Sequence, residues 1–346
     1  MNFNKVNNIT GWIVCIIACA VYILTAEAGG SLWDCGEFVS SCFKLQVPHP
    51  PGAPLFVVIG RIFIVLFGDN PLTAAKAVNI MSALASGFTI LFLFGTITHF
   101  TRKIYQKAHA ALSAEKVFTI MAAGVVGALA FTFSDSMWYS AVEGEVYAFS
   151  SFLTALVFWM MLKWEHNADE PGADRWIVLL FFVIGLSIGI HLLNLLTIPA
   201  IVMIYYFRRY KTTPWGIFWA FIVGCIITGF VQKFVIQYTI TGSGIFDRWF
   251  VNGLGLPFFS GFTAYFVLLG IVIVIGIRKA DKLINNFTGF AVWLSVFIFL
   301  FSFPYITSFL SFLLFVAGTA LAVYAAYHSR LKILNFLKLG LWCFAF

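Results

Sequence analysis

Apolar residues come in blocks along this chain, at about 10–26, 53–67, 72–100, 117–133, 146–163, 176–190, 193–207, 214–232, 262–277, 287–303 and 305–327. A helix that crosses the roughly 30 Å hydrocarbon core of a bilayer needs about 20 such residues, so the pattern predicts a polytopic all-α membrane protein. A last apolar run, 333–346, is still apolar at its end, and we expect the front part of a longer protein. Polar positions gather between the blocks, most densely in 27–52, 134–145 and 234–261. With no repeat, linker or low-complexity tract visible, 1–346 reads as one membrane domain.

The number of crossings follows from where Lys and Arg fall, because cytoplasmic loops carry an excess of them. If all eleven blocks spanned, Arg102, Lys103, Lys107 and Lys116 would lie outside, against that rule. If 53–67 instead enters the interface without crossing, sixteen of the 21 basic residues become cytoplasmic. These are Lys5, the 102–116 set, Lys163, Arg175, Arg208, Arg209, Lys211, Arg278, Lys279, Lys282, Arg330, Lys332 and Lys338; Lys44, Arg61, Lys76, Lys233 and Arg248 remain outside. The expected architecture is therefore about ten transmembrane helices plus a juxtamembrane or re-entrant helix at 53–67. Its external loops are 27–75, 134–145 and 234–261. Arg61 agrees with a position near the surface, since a charge at mid-bilayer costs about 3 kcal/mol or more. The short runs 176–190 and 193–207 read as a hairpin meeting near the outer surface. The first run, with Lys5 before it and Ala26-Glu27-Ala28 after it, also fits a secretory signal; in either case the residues after Ala26 emerge on the far side.

Composition narrows the class further. Hydrophobic residues make up 61% and charged residues 10%, against about 25% charged in a soluble domain, which excludes a water-soluble globule, a disordered chain and a small disulfide scaffold. The net charge of +7 suggests no nucleic-acid partner, because the basic residues sort by membrane side. Six cysteines show no metal-type spacing. Cys35 and Cys42 have two readings, a disulfide in an oxidising compartment or free buried thiols.

Candidate chemistry lies in the external carboxylates. Asp34 and Glu37 sit three apart, on one face of a helix, and two acids there can divide the work of taking a proton and orienting the group that loses it. Trp33 and Phe38 flank them, and Pro48-His49-Pro50-Pro51-Gly52 fixes the exit of the loop. His49 has two readings, a contact to a phosphate or hydroxyl and a turn residue. Arg248, within Phe246-Asp247-Arg248-Trp249-Phe250, and Arg61 carry forked donors suited to phosphate, against an Asp247 ion pair or interfacial anchoring; Lys44 and Lys76 are weaker candidates. Glu143 and Glu145, two apart beside Tyr147, flank the second external loop, where a helix-start charge is one reading and a polar contact to a ligand the other, and Asp135 after Ser134 reads as a cap. His191 and Asn194 are polar residues between apolar segments, which marks either function or an interhelical hydrogen bond.

Taken together, Trp33 to Phe38, His49-Pro50-Pro51-Gly52, Ser136-Met137-Trp138 and Glu143-Gly144-Glu145-Val146-Tyr147 resemble the bacterial relatives of the animal transmembrane O-mannosyltransferase that modifies plexin-type domains. That family belongs to the GT-C class of polyprenyl-phosphate-sugar-dependent glycosyltransferases. The likeness covers most of the first 200 residues, including Gly185 to Pro199, and fades beyond about residue 210. It implies a GT-C-like fold and inverting transfer of a sugar, mannose in the animal relative, from a polyprenyl-phosphate sugar to a hydroxyl of a secreted acceptor such as protein Ser or Thr. It also implies an acid soon after the first membrane helix as catalytic base, a position Asp34 matches, with Glu37 as a supporting acid that orients the acceptor or binds a cation. His49, Arg61, Glu143, Glu145, His191, Asn194 and Arg248 become substrate-binding candidates, and a divalent metal stays undetermined. The acids here are separated by Cys35 and Gly36, whereas the related protein O-mannosyltransferases have adjacent acids, so which of the two is the base stays open. The expected setting is a bacterial inner membrane with the site on the periplasmic side. A transporter or lipid flippase is the competing class; it asks for ionisable residues near the midplane on broken helices.

Overall fold

The computed structural model describes residues 2–106 and 112–345, with side chains except at 284 and 330–337. Lys107, counted above on the cytoplasmic side, lies outside the described residues, as do the side chains of Arg330 and Lys332. Every regular element among the described residues is helical. Residues 1–197 and 198–346 form two compact units.

The first unit holds α1 (Phe3–Thr25), α2 (Cys35–Lys44), α3 (Pro54–Leu66), α4 (Pro71–Tyr105), α5 (Ala114–Thr132), α6 (Asp135–Val142), α7 (Val146–Asn167), α8 (Arg175–Ile188) and a 3-10 turn, Leu192–Thr197. Helix starts follow local chemistry: Asn70 accepts a hydrogen bond from the Leu72 N–H at 2.9 Å and Pro71 takes the first helical position, where its missing N–H costs nothing. Between α1 and α4, Val14, Ala18, Tyr22, Ala83, Ile90 and Phe94 are buried, joined by Val117, Ile120 and Ala128 of α5. The two helices meet at a glycine. A Cβ on Gly87 would fall 3.2 Å from the Cys19 backbone nitrogen and closer still to its sulfur, so only glycine permits this approach. The buried Tyr22 hydroxyl donates to the Thr132 carbonyl at 2.8 Å, which fixes where α5 ends against α1.

The second unit holds α9 (Ile198–Arg209), α10 (Pro214–Phe230), a π-helical stretch (Val231–Tyr238), α11 (Thr239–Leu254), α12 (Ser260–Ile284), α13 (Phe287–Ser302), α14 (Phe309–His328) and α15 (Arg330–Ala345). Its core is aromatic: Tyr265, Phe290, Trp293, Phe301 and Phe303 are buried together. The Trp293 indole N–H donates to the Val272 carbonyl at 2.8 Å and the Tyr265 hydroxyl to the Leu300 carbonyl at 2.9 Å, so each buried polar handle has a partner.

Among the described residues nine helical segments are long and apolar enough to cross a membrane, against about ten expected. The difference lies at 176–190. The helix there is 14 residues, about 21 Å, too short to span alone. The run 214–232 errs in the other direction: helix continues through the π stretch to Leu254, and Gly255, at φ +65°, ends it. Most of the polar segment 234–261 is therefore helical. Helix α3 has 13 residues, about 20 Å, again short of the bilayer core. By contrast α4, with 35 residues, is about 52 Å long. Cysteines placed singly at Asn70 and Tyr105 in a cysteine-free chain are expected to react with impermeant maleimide from opposite sides of sealed vesicles; same-side reaction of both would contradict a crossing by α4.

Candidate active site

The acids identified from sequence converge in the first unit. Helix α2 buries Cys35, Phe38, Ser41 and Cys42 along one face, which leaves Glu37 exposed and Asp34 half-buried at its start. Asp34 occupies the N-cap position yet makes no capping bond, and among the described residues no hydrogen bond or ion pair engages its carboxylate. The preceding Trp33 is 90% exposed with φ +69°, a left-handed backbone that a bulky residue rarely adopts. Leu32 and Val47 stand out beside it, 92% and 85% exposed. Three large apolar side chains around a carboxylate pair suit a surface where lipid meets water.

Glu37 is engaged by His49. Its carboxylate accepts from the His49 backbone N–H at 2.6 Å and faces the ring Nδ1 at 2.9 Å, drawing the loop after α2 back onto the helix. Phe38 packs against the same ring, centroids 5.6 Å apart. The hydrogen bonds from His49 hold the Glu37 carboxyl below its ordinary value of 4.5, and the bond to Glu37 raises His49 above 6.5, helped by the charges of Asp34 and Glu145. The sign of the pH effect follows. The His49 contribution is complete below 6.5 and fades as pH rises through its raised value; the Glu37 contribution is complete above 4.5 and fades as pH falls through its lowered value. A spin label at Val47→Cys should therefore be least mobile between those limits, and His49→Gln should remove the high-pH change.

The second acidic segment lies against the first. Glu143 ends α6, half-buried; Glu145 begins α7 and is only 5% exposed. The Cys35 thiol donates to Glu145 Oε1 at 3.8 Å. Burial, followed by the neighbouring charges of Glu143 and Asp34, pushes Glu145 up, and burial, followed by the charges of Glu143 and Glu145, pushes the Cys35 thiol up to about 12. The contact is stitched by backbone: Glu27 N–H donates to the Val142 carbonyl at 3.0 Å, and the buried Asn79 of α4 donates to the Glu27 and Gly29 carbonyls at 2.9 and 3.0 Å. Gly144 sits tightly under Asn79; a Cβ there would be 2.9 Å from its Oδ1. Cys35 and Asn79 are the participants that sequence reasoning missed. Of the two sequence readings of Cys35 and Cys42, a disulfide or free buried thiols, the structure shows the second, and the contact of Cys35 with Glu145 was not visible in the sequence.

By donor type, two groupings match a cation: Asp34, Glu37 and His49, and Cys35, Glu143 and Glu145, the ligand atoms in each lying within 4.8 Å of one another. The first is exposed or half-buried with one carboxylate open, which fits a hard divalent ion. The second holds a strongly protonated thiol and fits one poorly.

The remaining candidates are placed as follows. Arg61 is bidentate to Asp69 at 2.7 and 3.1 Å and donates to the Phe43 carbonyl at 2.9 Å, stapling α3 to the end of α2. Lys76 donates to the Ala26 carbonyl at 3.0 Å, just past α1. His191 lies beside Tyr147, ring centroids 5.4 Å apart, accepts from the Leu193 N–H at 3.2 Å, and is lowered by burial. Asn194 is fully buried with its amide nitrogen unpartnered. Arg248 is exposed on α11 in the second unit; its neighbour Asp247 is turned to the start of α12, accepting from the Phe259, Gly261 and Phe262 N–H groups at 3.2, 3.1 and 3.3 Å.

Helix polarity separates the acids from the bases. Asn79 and Gly144 meet near the start of α4 and α7, whereas Lys103 and His99 of α4 pair with Glu165 near the end of α7. The 24 residues from Asn79 to Lys103 span about 36 Å of continuous helix, more than the bilayer core.

An all-α polytopic membrane protein with an acid cluster at one end of its helices is the class these features define. Residues 34–214 match the family described as the Protein O-mannosyl-transferase TMEM260 N-terminal domain, and the chain belongs to that family. The matched stretch contains every candidate above except Arg248. Among curated relatives, the Protein O-mannosyl-transferase tmem260 of Dictyostelium discoideum is 25% identical over 157 residues, 45% of this chain and 17% of that protein. The Protein O-mannosyl-transferase TMEM260 of Mus musculus is 27% identical over 169 residues, 49% of this chain and 21% of that protein. The aligned stretch thus covers about a fifth of the length of these relatives. No solved structure matches the chain.

Proposed function

We propose that this chain carries the active site of an inverting glycosyltransferase that moves a sugar from a polyprenyl-phosphate donor to a Ser or Thr hydroxyl of a secreted protein. The relatives' names point to mannose. The observation that carries the reading is the division of labour between the two acids: Glu37 is held by His49, whereas Asp34 stands open beside it.

Asp34 takes the acceptor hydroxyl proton as the oxygen attacks the anomeric carbon. The new oxygen–carbon bond forms as the bond from that carbon to the phosphate oxygen breaks, and the lipid phosphate leaves with the electron pair. Glu37 and His49 act as a unit: the carboxylate fixes the ring, and the protonated ring offers positive charge toward the phosphate. A divalent cation, if bound, would be held by Asp34 and Glu37 with the His49 ring neutral, and would offset phosphate charge in place of the imidazolium. Glu143, half-buried, is our candidate for meeting sugar hydroxyls, His191 stands next to Tyr147, and the buried Asn194 supports that turn from within. Arg61, already paired with Asp69, supports the site through α3.

Exposed Leu32, Trp33 and Val47 support a lipid-linked donor, because they let the rim of the site rest in the membrane interface. The segregation of Lys103 from the acids supports the non-cytoplasmic side for the site, by the excess of basic residues on the cytoplasmic face; a bacterial inner membrane with a periplasmic site is the setting we favour. In the first unit the clustered acids lie at helix ends and not at mid-helix, which disfavours a transporter. Deleting the gene for this chain should remove a hexose-sized mass from secreted proteins, and the full chain should restore it. An unchanged secreted glycoproteome would contradict the proposal.

A further inference from the structure

Glu145 has the geometry of a group that acts on the site without touching what binds there. Although it stands at the N-cap position of α7, it makes no capping bond, so the helix start does not account for its burial. Its side chain is turned to the start of α2, where Oε1 receives the Cys35 thiol at 3.8 Å. Only 5% of it is exposed, which leaves little surface for a sugar, whereas Glu143 two residues earlier is half-buried. Its own position is imposed from beneath: Gly144 is pressed onto Asn79 and Val78 of α4, and Asn79 also holds the 27–29 segment that leads into Asp34. The first acidic segment is thereby tied to α4 and α7 on both sides of Asp34, by Asn79 before it and by Glu145 at Cys35 just after it.

We infer that Glu145 is a positioning residue, which fixes the Asp34–Cys35 backbone so that the Asp34 carboxylate is aimed at the acceptor hydroxyl. The inference rests on the proposed transfer reaction for its kinetic consequence, but its structural half is tested independently at Cys35, which is fully buried against Glu145. Loss of the contact shifts the base by an ångström or so, and a misplacement of that size costs on the order of 100-fold in rate. Glutamine retains an oxygen for the Cys35 thiol, and alanine does not.

The test uses the full chain in detergent or nanodiscs, with polyprenyl-phosphate mannose and a Ser/Thr peptide as substrates, and alkylation of Cys35 by N-ethylmaleimide read by peptide mass. For Glu145→Ala the expected result is a fall in kcat of roughly 100-fold with KM for the donor within about twofold, together with at least tenfold faster Cys35 alkylation. For Glu145→Gln both quantities should return to within about fivefold of the unsubstituted chain. A Glu145→Gln variant as impaired as Glu145→Ala, a rise in donor KM at constant kcat, or unchanged Cys35 protection in Glu145→Ala would each overturn the assignment. Absence of any transfer by the unsubstituted chain would count against the transferase reading alone, and the Cys35 arm would still decide whether Glu145 holds the segment.

Discussion

Replacing Asp34 by Asn is expected to lower sugar transfer by roughly 100- to 10,000-fold, the range a positioned general base contributes, without unfolding the chain. Asn has nearly the shape of Asp, and the Asp34 side chain makes no capping bond at the start of α2, so the substitution removes a proton acceptor and little else. Initial rates with a defined lipid-linked sugar and a Ser/Thr peptide measure the loss, with size-exclusion elution as the check on folding. Glu37→Gln should cost less, because that carboxylate serves through His49: the amide keeps one acceptor for the His49 N–H and gives up the charge that raises the ring. If Glu37→Gln proved the more damaging of the two, the roles would have to be exchanged.

The second large effect is expected at a residue with no chemistry of its own. Gly144→Val should reduce transfer on the order of 100-fold while the helices stay folded. The added Cβ would meet Asn79 Oδ1 at 2.9 Å, Val78 Cγ1 at 3.0 Å and Val39 Cγ2 at 3.3 Å, three neighbours on two helices that cannot all give way. The 143–145 turn would lift off α4, carrying Glu145 away from Asp34 and loosening α2. Overpacking of this kind costs about 1–3 kcal/mol, a local strain that a bundle of long helices absorbs. A thermal shift assay alongside the rate measurement separates the two consequences: a large rate loss with a small change in Tm is the expected pair, and wild-type rates in Gly144→Val would contradict the packing.

Much of this was legible in the residues themselves, and the parts that were not have physical reasons. Long apolar runs define membrane helices because the bilayer imposes one length scale, and α1, α4, α5 and α7 fall where hydropathy places them. Helix ends without breakers are harder. Nothing between Val231 and Leu254 has the φ requirement of Gly255, so the helix runs on through residues whose polarity alone reads as a loop. The clustered residues Asp34, Glu37, His49, Glu143 and Glu145 stand out in the sequence as candidates, because their spacing and aromatic neighbours are local properties. Cys35 and Asn79 were not, since their importance comes from contacts across some 50 to 110 residues of chain: Cys35 to Glu145, and Asn79 to Glu27 and Gly29. Arg61 shows the same limit. Its position in an apolar helix marks it as a surface group, but its bidentate partner Asp69 appears only once α3 turns back at Gly68.

The most direct measurement is the anomeric configuration of the sugar on a Ser/Thr peptide, read by NMR after reaction of the purified full chain with a lipid-linked sugar of known configuration. Direct attack by a hydroxyl deprotonated at Asp34 predicts a product of inverted configuration, and none above background from the Asp34→Asn chain. A product that retains the donor's configuration, or equal product from both chains, would contradict it.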